Sequence, residues 1–166
     1  MSLPFVFCKP AMTTAKPRPA VSVATVVERD GLFLLVEEET RRGLRLNQPA
    51  GHLERGETLV QGAARETLEE SAWHVDVTHL VGIYMWQPRD GGGTYVRFAF
   101  AAAARAHDAQ RRLDDGIVRA LWMSAADIRS SAARHRSPLV MRCLDDYLAG
   151  RRLPLDWIAD VEDANP

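Results

Sequence analysis

Short runs of β-branched residues separated by turn residues begin the patterned part of the chain. Residues 21–27 are rich in valine and predict a strand, and residues 32–37 predict the strand that returns. Asp30 and Gly31 lie between the two runs, and an Asp-Gly pair in that place is typical of a tight hairpin turn. The polar residues 38–45 predict a loop after the hairpin.

A segment with a helical pattern follows over residues 58–71. It is rich in Ala, Leu, Glu, Gln and Arg and contains no proline, a composition that favours a helix. At about 100° per residue, Val60, Ala64 and Leu68 fall on one stripe. Glu66 and Glu70 are four residues apart and stack on a different face of the same helix.

The second half of the chain predicts further strands and two C-terminal helices. Apolar residues predict one or two strands over 75–86 and single strands over 95–103 and 118–123. Ser124 has the position of a helix N-cap, and a second helix is expected over 139–148. This order of elements predicts a sandwich of the α/β (α+β) class.

Length and composition indicate one ordinary soluble domain. The 166 residues fit a single domain over 21–158, with an N-terminal extension at 1–20 and an acidic tail at 159–166 that we expect to be disordered at its end. The net charge of −1 gives no reason to expect nucleic-acid or membrane binding. Cys8 and Cys143 are expected to be free thiols in a reducing cytoplasm.

The helix over 58–71 and the loop before it carry the candidate chemistry. Like charges at Glu66 and Glu70 repel each other by roughly 0.2–0.5 kcal/mol, whereas Mg²⁺ would bind carboxylate oxygens together with substrate phosphates. The small residues Ala50 and Gly51 would let backbone carbonyls approach the same ion. The alternative is an acidic helical face that is simply solvated, which is common.

The segment from Gly51 to Trp73 resembles the Nudix box, the motif of the Nudix hydrolases. The glycine, the arginine and the acidic residues of that motif all occur at the required spacing, as Gly51, Glu57, Arg65, Glu66, Glu69 and Glu70. Three positions depart from the motif, namely Thr67, Ala72 and Trp73. Ala72 replaces the glycine that ends the helix in the family, so we expect a shifted, non-left-handed turn there.

The resemblance implies a mixed sheet between helices and hydrolysis of a diphosphate linkage with Mg²⁺, or alternatively Mn²⁺. It implies Glu66 and Glu70 as metal ligands, Glu69 as ligand or base, and the Ala50 carbonyl as a further ligand. The family often adds an acidic residue near 115, for which Asp115 is the candidate and Asp114 the next. Glu57 would act through water or position another group, and Arg65 would orient a glutamate of the box. Because carboxylates protonate below about pH 4, activity should be limited by metal loss in acid.

The same resemblance suggests where a substrate binds. Family members often hold the base or its phosphates on the sheet, which makes Tyr84, Trp86 and Tyr95 candidates for stacking on a base. Arg45 is a candidate for phosphate contact, and Gln48 lies in the loop before the box. Core packing of the aromatic residues and a solvated arginine are the competing interpretations.

Within the family, the segment from Leu46 to Ser71, the later Ser-Pro-Leu-Val and the end of the domain are most similar to the NudJ-type phosphatases. This group implies nucleoside tri- and diphosphates and the thiamine-precursor pyrimidine diphosphate as substrates, with release of orthophosphate. ADP-sugars, dinucleoside polyphosphates or oxidised nucleotides are alternatives within the family. A binding module without catalysis is the alternative from another class. The partner is expected to be a small molecule and the protein a monomer or homodimer.

Overall fold

The computed structural model describes residues 18–89, 91 and 93–161. Seven strands are numbered in chain order: β1 (Ala20–Arg29), β2 (Leu32–Thr40), β3 (Gly43–Asn47), β4 (Ala50–His52), β5 (Trp73–Trp86), β6 (Tyr95–His107) and β7 (Ile117–Ser124). Three α-helices accompany them: α1 (Leu59–Ser71), α2 (Ala125–Ser130) and α3 (Leu139–Leu148). Single 3₁₀ turns lie at Ala132–Arg134 and Leu155–Trp157.

The strands form a mixed sheet that bends into two layers at the β1–β2 hairpin. In one layer β1 pairs in parallel with β6 and antiparallel with β4, and β6 pairs antiparallel with β5. In the other layer β2 lies between β3 and β7, both antiparallel. The prediction of an α/β (α+β) sandwich with a mixed sheet is confirmed.

The helices cover the sheet on two sides. Helix α3 packs with α2 on a core that includes Val26, Leu35 and Ala99 from three strands. Helix α1 packs on the opposite face of β1, β5 and β6, where Ala63 meets a second core that contains Phe100. Strand β4, which precedes α1, is part of the sheet beside β1 and contacts α1, and this arrangement positions the glutamates of α1.

Most predicted elements occur near their predicted bounds, whereas the loop predicted over 38–45 does not. The hairpin turn lies at Asp30 and Gly31, both with positive φ, and the strand over 75–86 is the single strand β5, which is interrupted by bulges. The loop predicted over 38–45 is instead a second hairpin, because β2 continues to Thr40 and β3 begins at Gly43. Gly43 has φ +84°, which permits this tight turn.

Helix α1 has well-defined ends. Thr58 accepts a hydrogen bond from the backbone N–H of Gln61, and the Gln61 side chain accepts one from the backbone N–H of Thr58. At the other end Ala72 adopts φ 58° and ψ 18°, so the expectation of a non-left-handed turn is wrong. Its N–H bonds to Leu68 and its carbonyl accepts from Asp108, and these contacts hold the alanine in a conformation that favours glycine.

Two predictions concern parts of the chain that remain largely outside the described residues. The N-terminal extension at 1–20 is described only from residue 18, and the tail at 159–166 only to residue 161. Cys8 also lies outside the described residues, whereas Cys143 is a buried free thiol on α3. Within the described residues no helix is long and apolar enough to cross a membrane.

Candidate active site

Arg65 on α1 is the centre of an acidic cluster. Its Nε and Nη2 donate to the two carboxylate oxygens of Glu57 at 2.9 and 2.7 Å. Its Nη1 donates to Glu66 at 2.9 Å and to Glu69 at 2.8 Å, and its Nη2 also donates to the carbonyl of His52. One guanidinium group therefore orients three glutamates and fixes α1 to the end of β4.

Strand β4 contacts Glu66 of this cluster and adds Glu70 beside it. A Cβ atom added at Gly51 would lie 2.2 Å from the carboxyl atoms of Glu66, so glycine leaves the space that the carboxylate occupies. The N–H of Ala50 donates to Glu70 Oε2 at 2.7 Å. Because the N–H and C=O of one residue in an antiparallel strand point to the same side, the carbonyl of Ala50 also faces α1.

The glutamates have different acidities. The hydrogen bonds from Arg65 lower the pKa of Glu57, whereas burial raises the pKa of Glu66 against the effect of the same arginine. Burial also raises the pKa of Glu70 to about 8, with further increases from Glu66, Glu38 and Asp114. In the absence of metal, the pKa of Glu70 therefore lies well above the value of about 4 that is ordinary for a carboxylate.

The residues present fit a hard divalent cation. Within the described residues no three Asp, Glu, His or Cys side chains converge as a preformed metal site. The reason is visible in the hydrogen bonds, because Arg65 holds Glu66 and Glu69 while the Ala50 amide holds Glu70. The donors are all oxygens, as Mg²⁺ prefers, and the mutual repulsion of Glu66 and Glu70 would be relieved by a cation.

The loop before β7 brings Asp114, rather than Asp115, to this cluster. The N–H of Asp114 donates to the carbonyl of Glu69 at 3.1 Å, and its charge raises the pKa values of both Glu66 and Glu70. Asp115 has a side chain that is 94% exposed and pairs with Arg112. The structure therefore corrects the choice of Asp115, because the turn directs that side chain to solvent.

Four of the predicted substrate residues lie on the face of the sheet that α3 covers, namely Gln48, Tyr84, Trp86 and Tyr95. Trp86 and Tyr95 face each other across β5 and β6, with ring centroids 5.5 Å apart. Tyr84 is half-buried, and its hydroxyl donates to Asp146 on α3. Gln48 is buried and donates to the carbonyl of Val140. The remaining candidate, Arg45 on β3, donates from Nη1 to the carbonyl of Leu44.

Several polar residues that were not among the predicted site residues lie next to these candidates. Arg97 on β6 is 9% exposed and donates to Asn47 Oδ1 at 3.4 Å. Glu38 on β2 hydrogen-bonds Asn47 and lies 3.4 Å from Arg136 Nε. An arginine within an apolar strand was a usable signal, because a charged residue is costly to bury alone. The pairing of Glu38 was not accessible, because residues 38–45 were predicted to be a loop.

The fold and this cluster define a class of hydrolase. A helix whose glutamates are oriented by an arginine and face a strand carbonyl suits divalent-cation chemistry on phosphate groups. Comparison with known proteins gives the family within this class, because the NUDIX domain model matches residues 16–143. The chain belongs to the Nudix family, and it is a Nudix phosphohydrolase.

Individual relatives agree with this assignment. Phosphatase NudJ of Escherichia coli strain K12 is 39% identical over 143 residues, which cover 86% of this chain and 92% of that protein. A Nudix hydrolase structure from Nitrosomonas europaea is 47% identical, with a TM-score of 0.86 over 89% of this chain and all of that chain (100%). A UDP-X diphosphatase structure is 18% identical, with a TM-score of 0.66 over 87% of this chain and 70% of that chain, and shows the fold alone.

Proposed function

We propose that this protein is a Mg²⁺-dependent phosphatase that cleaves phosphoanhydride bonds of nucleoside tri- and diphosphates and releases orthophosphate. The thiamine-precursor pyrimidine diphosphate is a further proposed substrate. One observation carries the proposal: Arg65 and β4 hold four glutamates in one cluster in a chain that is 39% identical to phosphatase NudJ. The proposed compartment is the cytoplasm, and the proposed state is a monomer or homodimer.

The acidic cluster supports specific roles. Glu66, Glu70, Glu69 and the carbonyl of Ala50 would hold Mg²⁺, with Mn²⁺ as an alternative ion. When bound, the ion supplies charge neutralisation on phosphoryl oxygens and lowers the pKa of a water molecule.

The chain's own groups would orient that site. Arg65 keeps Glu66 and Glu69 in place through charge-assisted hydrogen bonds, while Glu57 keeps Arg65 in place through two hydrogen bonds of its own. Glu69 is the candidate general base when it is not a ligand. Asp114 takes the place of Asp115 as the acidic residue contributed by the loop before β7, because only Asp114 affects the pKa of Glu66 and Glu70.

The α3-covered face supports a nucleotide rather than a bare phosphate as substrate. Trp86 and Tyr95 are half-buried and adjacent, and a base stacked on such rings gains about 1–3 kcal/mol in other proteins. Arg45 would meet phosphate oxygens. Tyr84 would support this surface from below, since its hydroxyl is bound to Asp146.

Phosphate release with Mg²⁺ tests the proposal. The panel contains nucleoside tri- and diphosphates, the pyrimidine diphosphate, ADP-ribose and dinucleoside polyphosphates, each with and without added pyrophosphatase. We expect orthophosphate directly from the nucleotides. We also expect Glu70→Gln to lower kcat by at least about 100-fold, since loss of one group that stabilises the transition state commonly costs this much.

Glu39→Gln is the matched control, because Glu39 is exposed on β2 and belongs to no part of the cluster. Thermal unfolding of both variants establishes that they are folded. Full activity of Glu70→Gln would place the chemistry elsewhere. Product from ADP-ribose or dinucleoside polyphosphates alone would keep the family chemistry and overturn the proposed substrate. Metal binding without turnover on any compound would favour a binding module.

A further inference from the structure

The guanidinium group of Arg65 has no donor left for a substrate. An arginine side chain carries five N–H groups. Those of Arg65 make five hydrogen bonds, two to Glu57 and one each to Glu66, Glu69 and the carbonyl of His52. A positively charged side chain that meets phosphate oxygens at the acidic cluster must therefore be a different one.

Arg111, in the loop between β6 and β7, is placed for this contact. Its Nη2 lies 4.0 Å from Glu69 Oε1, whereas Arg65 binds the other carboxylate oxygen of Glu69. Among the residues that the structure describes, this is the one ion pair of the Arg111 side chain, which makes no hydrogen bond and is 35% exposed. Arg111 therefore combines a position at the acidic cluster with N–H groups that are open to a ligand.

Two backbone hydrogen bonds fix this loop on the end of α1. The N–H of Asp108 donates to the carbonyl of Ala72 at 2.8 Å, and the N–H of Asp114 donates to that of Glu69 at 3.1 Å. Arg111 lies midway between these two contacts, and its own N–H donates to the carbonyl of Asp108 at 3.1 Å. The backbone of Arg111 is thus held beside the glutamates, so the side chain presents its charge without a rearrangement of the loop.

The proposed reaction needs a positive group at this place. The acidic cluster contains more carboxylates than Arg65 neutralises, and a diphosphate adds further negative charge. Positively charged donors that are in position before the reaction stabilise the charge that develops on phosphoryl oxygens. The neighbouring Arg112 does not have this position, because its side chain is 88% exposed and pairs with Asp115.

We propose that Arg111 is a further catalytic residue, whose guanidinium group donates hydrogen bonds to the phosphoryl oxygens of the substrate. This inference rests on the proposed phosphatase function and adds a residue to its site. In the cleavage, the oxygen of water forms a bond to phosphorus, the bond from phosphorus to the bridging oxygen breaks, and its electron pair stays on that oxygen. The proton of water passes to a base, for which Glu69 is the candidate. Arg111 keeps its protons and stabilises the charge on the oxygens that do not bridge.

Kinetics with a nucleoside diphosphate and Mg²⁺ test this role. Arg111→Ala should lower kcat at least about 100-fold, with a smaller change in KM, because the contact is strongest in the transition state. Arg111→Lys should have an intermediate kcat, because lysine keeps the charge but loses the planar pair of donors. Arg112→Ala is the matched control and should keep the wild-type kcat within about twofold, since an exposed ion pair contributes little. Thermal unfolding establishes that each variant is folded.

Equilibrium binding separates a contact with the substrate from support of Glu69. Isothermal titration with Mg²⁺ alone measures the affinity for the metal. Titration with methylenediphosphonate in the presence of Mg²⁺ measures the phosphate contact without turnover, because a carbon atom replaces the bridging oxygen. Arg111→Ala should weaken methylenediphosphonate binding at least about tenfold, since charge-assisted hydrogen bonds are lost. The same variant should not weaken Mg²⁺ binding, because a positive charge near Glu69 has been removed. Arg112→Ala should change neither affinity.

The outcomes separate this inference from the proposed function. If the wild type releases phosphate and Arg111→Ala has an unchanged kcat, the proposed function stands and the inference fails. Weaker Mg²⁺ binding by Arg111→Ala together with an unchanged methylenediphosphonate affinity would assign Arg111 to the orientation of Glu69 and overturn the contact with substrate. If the wild type releases phosphate from no nucleotide, but only Arg111→Ala weakens methylenediphosphonate binding, the function is rejected and the phosphate contact is supported.

Discussion

A buried hydroxyl pair determines how α1 contacts the sheet. The family motif has an aliphatic residue where this chain has Thr67. The structure buries Thr67 completely, and its hydroxyl donates to the carbonyl of Ala63 at 2.7 Å. Thr25 on β1 is equally buried and donates to Thr67 at 2.7 Å. The departure from the motif is thus matched by a partner far away in the chain.

A double-mutant cycle tests this pair. Thr67→Val leaves the Thr25 hydroxyl buried without an acceptor, so it should lower the free energy of unfolding by about 1–3 kcal/mol. Thr25→Val should cost less, because Thr67 keeps its bond to Ala63. The double variant should be more stable than the sum of the single effects by at least about 0.5 kcal/mol. Urea unfolding measures all four proteins, and strictly additive effects would contradict the coupling.

At the scale of elements, the ends of α1 position its glutamates. The reciprocal cap at Thr58 and Gln61 begins the helix directly after the loop that carries Glu57. The left-handed Ala72 ends it, and β5 starts with the next residue. We expected an alanine there to shift the turn, but the hydrogen bonds of Ala72 to Leu68 and Asp108 outweigh its conformational preference.

Replacing this alanine by the glycine usual in the family should relieve the strain. We expect Ala72→Gly to raise the free energy of unfolding by about 0.5–1 kcal/mol, since an alanine with positive φ costs roughly this much or more. Ala149→Gly is the control, because Ala149 ends α3 with an ordinary φ of −71°. This variant should have a free energy of unfolding about 0.4–1 kcal/mol lower than that of the wild type. Urea unfolding compares both variants, and destabilisation by Ala72→Gly would show that packing of the methyl group dominates.

At the scale of the whole molecule, the assembly of α1 on both β4 and the sheet buries Glu70 and raises its pKa to about 8. The metal-free native protein therefore binds a proton that the unfolded chain releases above its ordinary pKa of 4.5. The stabilisation is fully present below that ordinary pKa and is lost as the pH rises to about 8. The contribution of Glu57 to stability depends on pH in the opposite direction, because the lowered pKa of this carboxylate stabilises the fold at neutral pH and the stabilisation is lost in acid.

Thermal unfolding in chelator should reveal this effect. The stability of the wild type should decrease between about pH 5 and pH 8, because Glu70 loses its proton while it remains buried. The stability of Glu70→Gln should decrease less over this range. At the higher pH the variant should be more stable than the wild type by about 1–3 kcal/mol. Glu39→Gln should follow the wild type at every pH. Parallel curves for the wild type and Glu70→Gln would show that Glu70 is not the group responsible.

The sequence by itself determined the class of fold and the helix with its glutamates and arginine. Strand and helix periodicity and the spacing of the motif are local properties of the sequence, so they can be recognised without knowledge of the tertiary contacts. The bounds of α3 were predicted as they occur, and those of α1 and most strands within a few residues. Local polarity led to a wrong assignment at residues 38–45, where a loop was predicted but the solvated ends of β2 and β3 form a hairpin.

Only the tertiary structure decided which distant residues meet. The turn that directs Asp114 toward α1 and Asp115 toward solvent, the acceptor found by Thr25, and the burial of Arg97 beside Glu38 all depend on contacts between remote segments. The same applies to the pKa of Glu70, because desolvation is a property of the packed molecule rather than of the residue. The spacing of residues along the chain indicates which side chains are candidate functional residues, and tertiary packing determines their charge, their partners and their access to substrate.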